Sequence, residues 1–187
     1  MKKSTCLLLL AFACVLVLSA TAAAADRYAV GKLGVFFPDE SGFDEGPNLE
    51  VAMGWGMSEI APRAVSDNPA LADLAIEAGI GAYASDSDSA FGETEFTVMP
   101  VTLTGLYRIP LRGTPVEFHA GAGPGLYLAW IETPGDDDLE FEIGLHVQVG
   151  ADLQLTENLA LVTELKANTV TEDIDGAFFN VGLRSRF

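Results

Sequence analysis

The 187-residue sequence has the length of one domain and carries 27 acidic against 10 basic side chains, a formal charge of −17. That balance disfavours a nucleic-acid partner, which needs a basic face, and a peripheral helix lying on anionic lipid. Its two cysteines, Cys6 and Cys14, fall within the opening segment, so the rest of the chain has neither disulfides nor thiolate metal sites.

That opening segment runs from Lys2 and Lys3 through an apolar stretch, Leu7 to Leu18, into the small residues Ser19 to Ala25. A positive start, a short apolar stretch and small residues at the cut describe a cleaved signal peptide. The apolar run falls short of the about 20 residues that a transmembrane helix needs. We expect a signal peptide over 1–25, cut before Asp26, and a single domain over 26–187. A lipid-anchored alternative at Cys14 is set aside, because Phe12 would stand just before the cut and the apolar Val15 to Leu18 would stay behind. Without the leader the chain holds eight basic and 27 acidic residues, a formal charge of −19.

From residue 26 onward the sequence keeps returning to period two, the signature of half-buried strands. The first such segment is Arg27–Phe37. In the second, Leu49, Val51, Met53, Trp55 and Met57 alternate with Glu50, Ala52, Gly54, Gly56 and Ser58. The stretch Asn68 to Gly79 has two readings: a helix capped by Asn68 with Pro69 in its first turn, or the alternation Leu74, Ile76, Ala78, Ile80, Ala82. A strand Leu74–Ala84 is expected, with at most one helical turn in the Ser58–Ala72 connection. Strands Phe96–Ile109 and Val116–Ile131 follow. Then comes the clearest alternation, Phe141–Leu153, longer than the five or six residues of an ordinary globular strand and suited to a tilted membrane strand. Leu159–Val170 and Ala177–Phe187 complete the set.

Eight strands can close a barrel with both termini at one mouth. The expected fold class is all-β, an eight-stranded antiparallel up-and-down transmembrane β-barrel preceded by a signal peptide. Glycines 54, 56, 79, 81, 121, 123 and 125 cluster on the polar phase, where small residues let a narrow barrel close around larger side chains. The connections alternate in kind. Pro38–Asn48, Ser85–Glu95, Glu132–Leu139 and Thr171–Gly176 are polar and hold no Lys or Arg, whereas Ile109–Pro115 and Gln154–Asn158 are tight, and Arg63 and Arg112 both lie on this second side. Aromatic residues on the apolar phase sort to strand ends: Phe37, Trp130, Phe141 and Phe179 toward one mouth, Trp55, Tyr107, Phe118 and Phe187 toward the other. Two such girdles are what a barrel uses at its two membrane interfaces.

Together Thr97 to Tyr107, the glycine-rich Ala120 to Tyr127 and the terminal strand resemble the small eight-stranded outer-membrane β-barrels of the OmpA, OmpX and OmpW type, over the whole of residues 26–187. The resemblance implies an outer-membrane location, contact with membrane lipid, termini in the periplasm and acidic loops outside. The last strand resembles the family's assembly signal through Asn180, Gly182, Leu183 and Phe187, with Ser185 departing at one apolar position, and so implies the barrel-assembly machinery as a partner. No peptidoglycan-binding domain follows, so no anchoring role is implied.

On the polar phase the charged residues Lys32, Glu50, Glu77, Arg108, Glu117, Glu164, Lys166, Arg184 and Arg186 are expected in the lumen, with Arg108 opposing Glu117 and Glu164 opposing Arg184. Glu140, Glu142, His119, His146, Gln148 and Asp152 share that phase. Buried charges persist when paired, so a salt-bridged plug is the first expectation and a narrow polar conduit, or a barrel binding or passing a small molecule, the alternative. Enzymatic action is not expected: neither His119 nor His146 has a serine beside it, and nucleophilic catalysis needs a hydroxyl within reach of its base. Asp136-Asp137-Asp138 has oxygen ligands but no calcium-loop spacing, so no metal or other cofactor is expected.

Overall fold

Period two places one row of side chains on each face of every strand, and in the computed structural model the strands close on one another. The structure describes residues 26–40, 42–89, 92–133, 136–170 and 175–187. The strands are β1 (Arg27–Pro38), β2 (Gly46–Gly56), β3 (Leu74–Ser89), β4 (Gly92–Pro110), β5 (Val116–Thr133), β6 (Asp136–Gln154), β7 (Leu159–Val170) and β8 (Gly176–Arg186). Each pairs antiparallel with the next, and β1 pairs with β8 to close the barrel. Closure leaves no unpaired edge, which is what allows strands to stand in hydrocarbon. Tyr28 faces Arg186 at one mouth and Pro38 faces Gly176 at the other. We call these the terminal mouth and the loop mouth.

β6 shows the alternation most plainly. Phe141, Ile143 and Leu145 are 74%, 68% and 61% exposed, while Glu142, His146, Gln148 and Asp152 are buried. A water-soluble domain would sort these the other way round. The outward rows of β1, β4, β7 and β8 repeat the pattern with Leu33, Val35, Val101, Leu103, Leu165, Val181 and Leu183. The result is a continuous apolar outer belt around a polar interior, the distribution that lipid favours.

Several strands outrun the expected segments. Pairing at the loop mouth continues through Asp86↔Glu95, Ser87↔Thr94 and Glu132↔Asp137, so most of Ser85–Glu95 and Glu132–Leu139 is strand rather than connection. Ladder hydrogen bonds join backbones and need no apolar side chain, so the hairpins run on past the apolar belt. Two prolines thin the ladder on either side of β4. The register skips Gly81–Pro100 toward β3 and Leu103–Pro124 toward β5, because proline has no N–H to give.

The connection from β2 to β3 corrects the expectation of at most one helical turn. It holds two short helices, α1 (Met57–Ile60) and α2 (Pro62–Asp67), and a 3-10 turn, Pro69–Asp73. Both readings of the Asn68–Gly79 stretch are realised in succession. Asn68 caps the 3-10 turn, its side chain accepting from Ala70 N–H at 3.3 Å, and the alternating residues take over at Leu74. Proline starts α2 and the 3-10 turn, where its missing N–H has no helical partner to lose. The expected signal peptide, residues 1–25, lies outside the described residues, as do Glu172 and Asp173 and the side chains of Asp136, Asp137 and Asp138.

Candidate functional site

The inward rows converge on a lumen built in layers. Nearest the loop mouth is an aromatic cap. Phe36 of β1 lies 4.5 Å from Tyr83 of β3 and 4.8 Å from Phe178 of β8, and 6.2 Å from Phe96 of β4, ring centre to ring centre. Val98, Tyr127, Ala129 and Val170 fill the gaps between these rings. Phe43, from the β1–β2 loop, folds down onto Phe96 at 5.1 Å. That loop is tied on both sides: Asp44 N–H donates to Asp86 C=O and Ser85 Oγ donates to Asp44 C=O, while Asp39 N–H donates to Asp175 C=O.

Beneath the cap lies the charge network. Lys32 Nζ sits 2.5 Å from Glu50, 2.9 Å from Glu164 and 4.0 Å from Glu77. Lys166 Nζ donates to Glu50 at 2.6 Å. Arg184 bonds Asp152, lies 4.0 Å from Glu77 and stacks its guanidinium over the Tyr28 ring at 4.6 Å. Asn48 Nδ2 donates to Asn180 Oδ1 at 2.7 Å, and Asn180 in turn donates to Glu164 at 3.3 Å. His146 and Thr104 share a hydrogen bond of 2.8 Å. On the terminal side, Tyr28, Val30, Ala52, Ala75, Leu106 and Val162 pack as a second apolar cluster.

At the terminal mouth, Asp26 fastens several elements at once. Its carboxylate accepts from Arg108 at 2.9 and 3.3 Å and from Ser58 at 3.1 Å, and its carbonyl accepts from Gly56 N–H at 2.7 Å. Partial burial pushes the Asp26 carboxyl up, but the bonds and charge of Arg108, helped by Ser58, more than offset this and hold it below its ordinary value. Arg27 pairs with Glu59 of α1. Arg186 pairs with Glu117 at 3.2 Å, both partly open to solvent.

Both hairpin pairings read from the sequence are therefore corrected. Arg108 faces His119 in the register and Glu117 faces Pro110, and Arg108 reaches Asp26 instead. Glu164 faces Asn180 and Arg184 faces Ala160, and each finds its partner beyond the neighbouring strand, Glu164 at Lys32 of β1 and Arg184 at Asp152 of β6. Long side chains in a narrow barrel span its bore, so the ladder neighbour is not the electrostatic partner. Lys32, Glu50, Glu77, Arg108, Glu164, Lys166 and Arg184 are placed in the buried interior, with Glu117 and Arg186 at the rim.

Of the girdle residues, Phe37, Tyr107, Phe118, Trp130, Phe141 and Phe179 stand exposed on the outer surface and Trp55 is partly covered. Among the terminal-strand residues, Asn180 is fully buried in the lumen and Leu183 points outward. At Gly182 a Cβ would come within 2.2 Å of Gly31 C=O, and Phe187 N–H donates to Arg27 C=O at 3.1 Å. The aromatic cap and the Asp26 clasp were not read from the sequence. Phe36 and Phe178 on the otherwise polar phase were the available signal for the cap.

A family model for the outer membrane protein beta-barrel domain matches residues 10–187. Among solved structures, Neisserial surface protein A is similar at 19% identity over 89% of this chain and 100% of that one, with a TM-score of 0.66. The N-terminal β-barrel domain of Pseudomonas aeruginosa OprF is similar at 12% identity, 87% and 98% coverage and a TM-score of 0.55. Ail, the attachment invasion locus protein of Yersinia pestis, solved in complex with the heparin analogue sucrose octasulfate, is similar at 12% identity, 86% and 97% coverage and a TM-score of 0.56. At these identities the likeness is one of fold. No curated protein matches the chain.

Proposed function

The chain belongs to the outer membrane protein beta-barrel domain family, and from that premise we propose that it is a non-enzymatic outer-membrane barrel with a structural or surface-interaction role. The observation that carries this reading is the filled lumen. An aromatic cap closes its loop side, and below it a paired charge network interleaves with a second apolar cluster, Arg184 facing Val30 and Asp152 facing Val162 in the register. Side chains that pair with one another inside so narrow a barrel take up the room a solute would need, which weighs against the alternative of a narrow pore or a barrel that passes a small molecule. What is left to meet other molecules is the outer belt and the loops.

In this reading residues 1–25 are a signal peptide removed before Asp26, the terminal mouth faces the periplasm, and the acidic loops face outward. Asn180, Gly182, Leu183 and Phe187 of the last strand present the barrel to the assembly machinery. The loop mouth differs in chemistry from what a sulfated ligand requires. Pro38–Asn48, Ser85–Glu95, Glu132–Leu139 and Thr171–Gly176 carry acidic residues and no Lys or Arg, so the sucrose octasulfate bound by Ail has no counterpart here.

Planar-bilayer recording of the refolded barrel tests the reading. No conductance steps are expected, and stable openings would overturn it. Fractionation with outer membranes, together with protease cleavage of the loops on intact cells, tests the orientation.

A further inference from the structure

The buried charges at the centre of the lumen do not balance. Lys32, Lys166 and Arg184 stand among Glu50, Glu77, Asp152 and Glu164, three cations against four carboxylates, all at most 6% exposed. The other two cations of the inward rows are committed at the rim, Arg108 to Asp26 and Arg186 to Glu117. A buried carboxylate without a compensating charge is costly, so a group that supplies the missing charge is favoured.

We propose that His119 is that group, held as an imidazolium, and that the lumen is built around a bound proton. Its Nδ1 lies 3.3 Å from Asp152 Oδ1 and its Nε2 lies 3.7 Å from Glu164 Oε2. Each ring nitrogen thus faces a carboxylate. At these ion-pair distances a neutral imidazole, with one N–H, would turn a lone pair toward one of the two carboxylates, whereas the imidazolium presents an N–H to each. The wall is shaped for the ring: a Cβ on Gly150, opposite in the register, would come within 2.5 Å of Nε2.

The charged groups around this position come from six strands. They are Asp152 of β6, Glu164 of β7, Arg184 of β8, Lys32 of β1, Glu77 of β3 and, opposite in the register, Arg108 of β4, which is turned away to Asp26. Among the described residues His146 has no carboxylate within ion-pair distance, only the Thr104 hydroxyl. The competing holder of the proton is Glu77, whose nearest cations are both 4.0 Å away. His119 is favoured over it because two carboxylates flank one ring.

The experiment is 15N NMR of the refolded chain in detergent micelles at pH 8, where an exposed imidazole with the ordinary value of about 6.5 is neutral. Both ring nitrogens of His119 are expected to carry hydrogen, and only one of those of His146. A neutral His119 tautomer overturns the proposal and moves the proton to Glu77. A charge-balance test stands beside it. His119→Gln is expected to lower the unfolding midpoint, and adding Glu77→Gln, which removes one carboxylate, is expected to restore it. A double variant no more stable than His119→Gln overturns the proposal. If His119→Gln does not fold, the NMR readout of the unaltered chain decides.

Discussion

Lys32 on β1 donates to Glu164 on β7 at 2.9 and 3.0 Å, reaching past β8, the strand that lies between them in the wall. The pair is 1–2% exposed, and Lys32 also serves Glu50 and Glu77. Removing its charge takes one cation from three buried carboxylates at once. Lys32→Met is expected to destabilise the barrel by about 3–5 kcal/mol, the cost of breaking a buried pair from one side. A lower midpoint in urea unfolding, and loss of the heat-sensitive mobility shift in SDS at lower temperature, would register it. A midpoint unchanged from the parent would refute the central place given to Lys32.

The aromatic cap makes a different prediction. Phe36 is fully buried and touches the rings of Tyr83, Phe96 and Phe178. Phe36→Ala is expected to cost about 3–5 kcal/mol, through lost burial and the cavity left behind. It is not expected to open a conducting path, since the charge network lies beneath. Unfolding midpoints and single-channel recording on the same preparation check both halves.

Gly123 supplies a steric test. A Cβ there would lie 1.8 Å from the carbonyl oxygen of Leu103 on β4, a backbone atom that has no rotamer to change. Gly123→Ala therefore forces β4 and β5 apart where Pro124 already thins the ladder. A loss of about 1–3 kcal/mol is expected, read as a lower folded fraction after refolding. Gly105→Ala, with no atom closer than 3.8 Å to its added Cβ, is the control that folds normally.

The clasp at Asp26 carries a pH dependence. Its carboxyl is held below the ordinary 3.8 despite the burial that pushes it up, because Arg108 favours the charged form. A carboxyl lowered on folding adds stability that is fully present above its unfolded value and is lost as pH falls through the folded one. Asp26→Asn is thus expected to be less stable than the parent at pH 7, by at most about 1 kcal/mol once solvent screening at this half-open site is allowed for. The difference should vanish as pH drops below 3.8. A gap that persists undiminished at pH 2 would mean that the carboxylate charge is not what Arg108 reads.

The terminal aromatic residue separates assembly from stability. Phe187 follows β8, and its tie to β1 is a backbone bond, N–H to Arg27 C=O. Phe187→Ala is expected to leave the unfolding midpoint of refolded barrel within about 0.5 kcal/mol, while lowering the amount of folded barrel recovered from cell outer membranes. Equal recovery in cells would remove the proposed recognition by the assembly machinery.

The strands were legible because hydrocarbon outside and polar groups inside impose period two on every one of them. Leu159–Val170 is bounded the same way in sequence and structure. β3, β4 and β6 were read short, because beyond the apolar belt the pattern that marks a strand stops while the backbone ladder continues. Membership of the lumen followed from phase, so Lys32, Glu50 and Arg184 were visible as inward residues. Their partners were not. Which carboxylate meets Arg108 depends on the bore of the closed cylinder and on where the chain folds back at Asp26, neither of which is a property of one strand. The cap escaped for the opposite reason: Phe36 and Phe178 are apolar residues on the polar phase, and two exceptions with six strands of sequence between them say nothing about each other until β1 and β8 meet.

Seven of the eight joints in the wall link strands that follow one another in sequence, and only β1 with β8 must find each other from opposite ends of the domain. Side-chain bonds reach over that joint without belonging to it. Asn48 of β2 grips Asn180 of β8 above β1, and Lys32 of β1 grips Glu164 of β7 above β8. They act as stitches laid across a seam, each fastened one strip of cloth back from the cut edge. Peeling β8 from β1 must therefore tear bonds rooted in β2 and β7 as well as the ladder itself, and the joint with the longest loop to close becomes one that cannot open by a single strand's fraying.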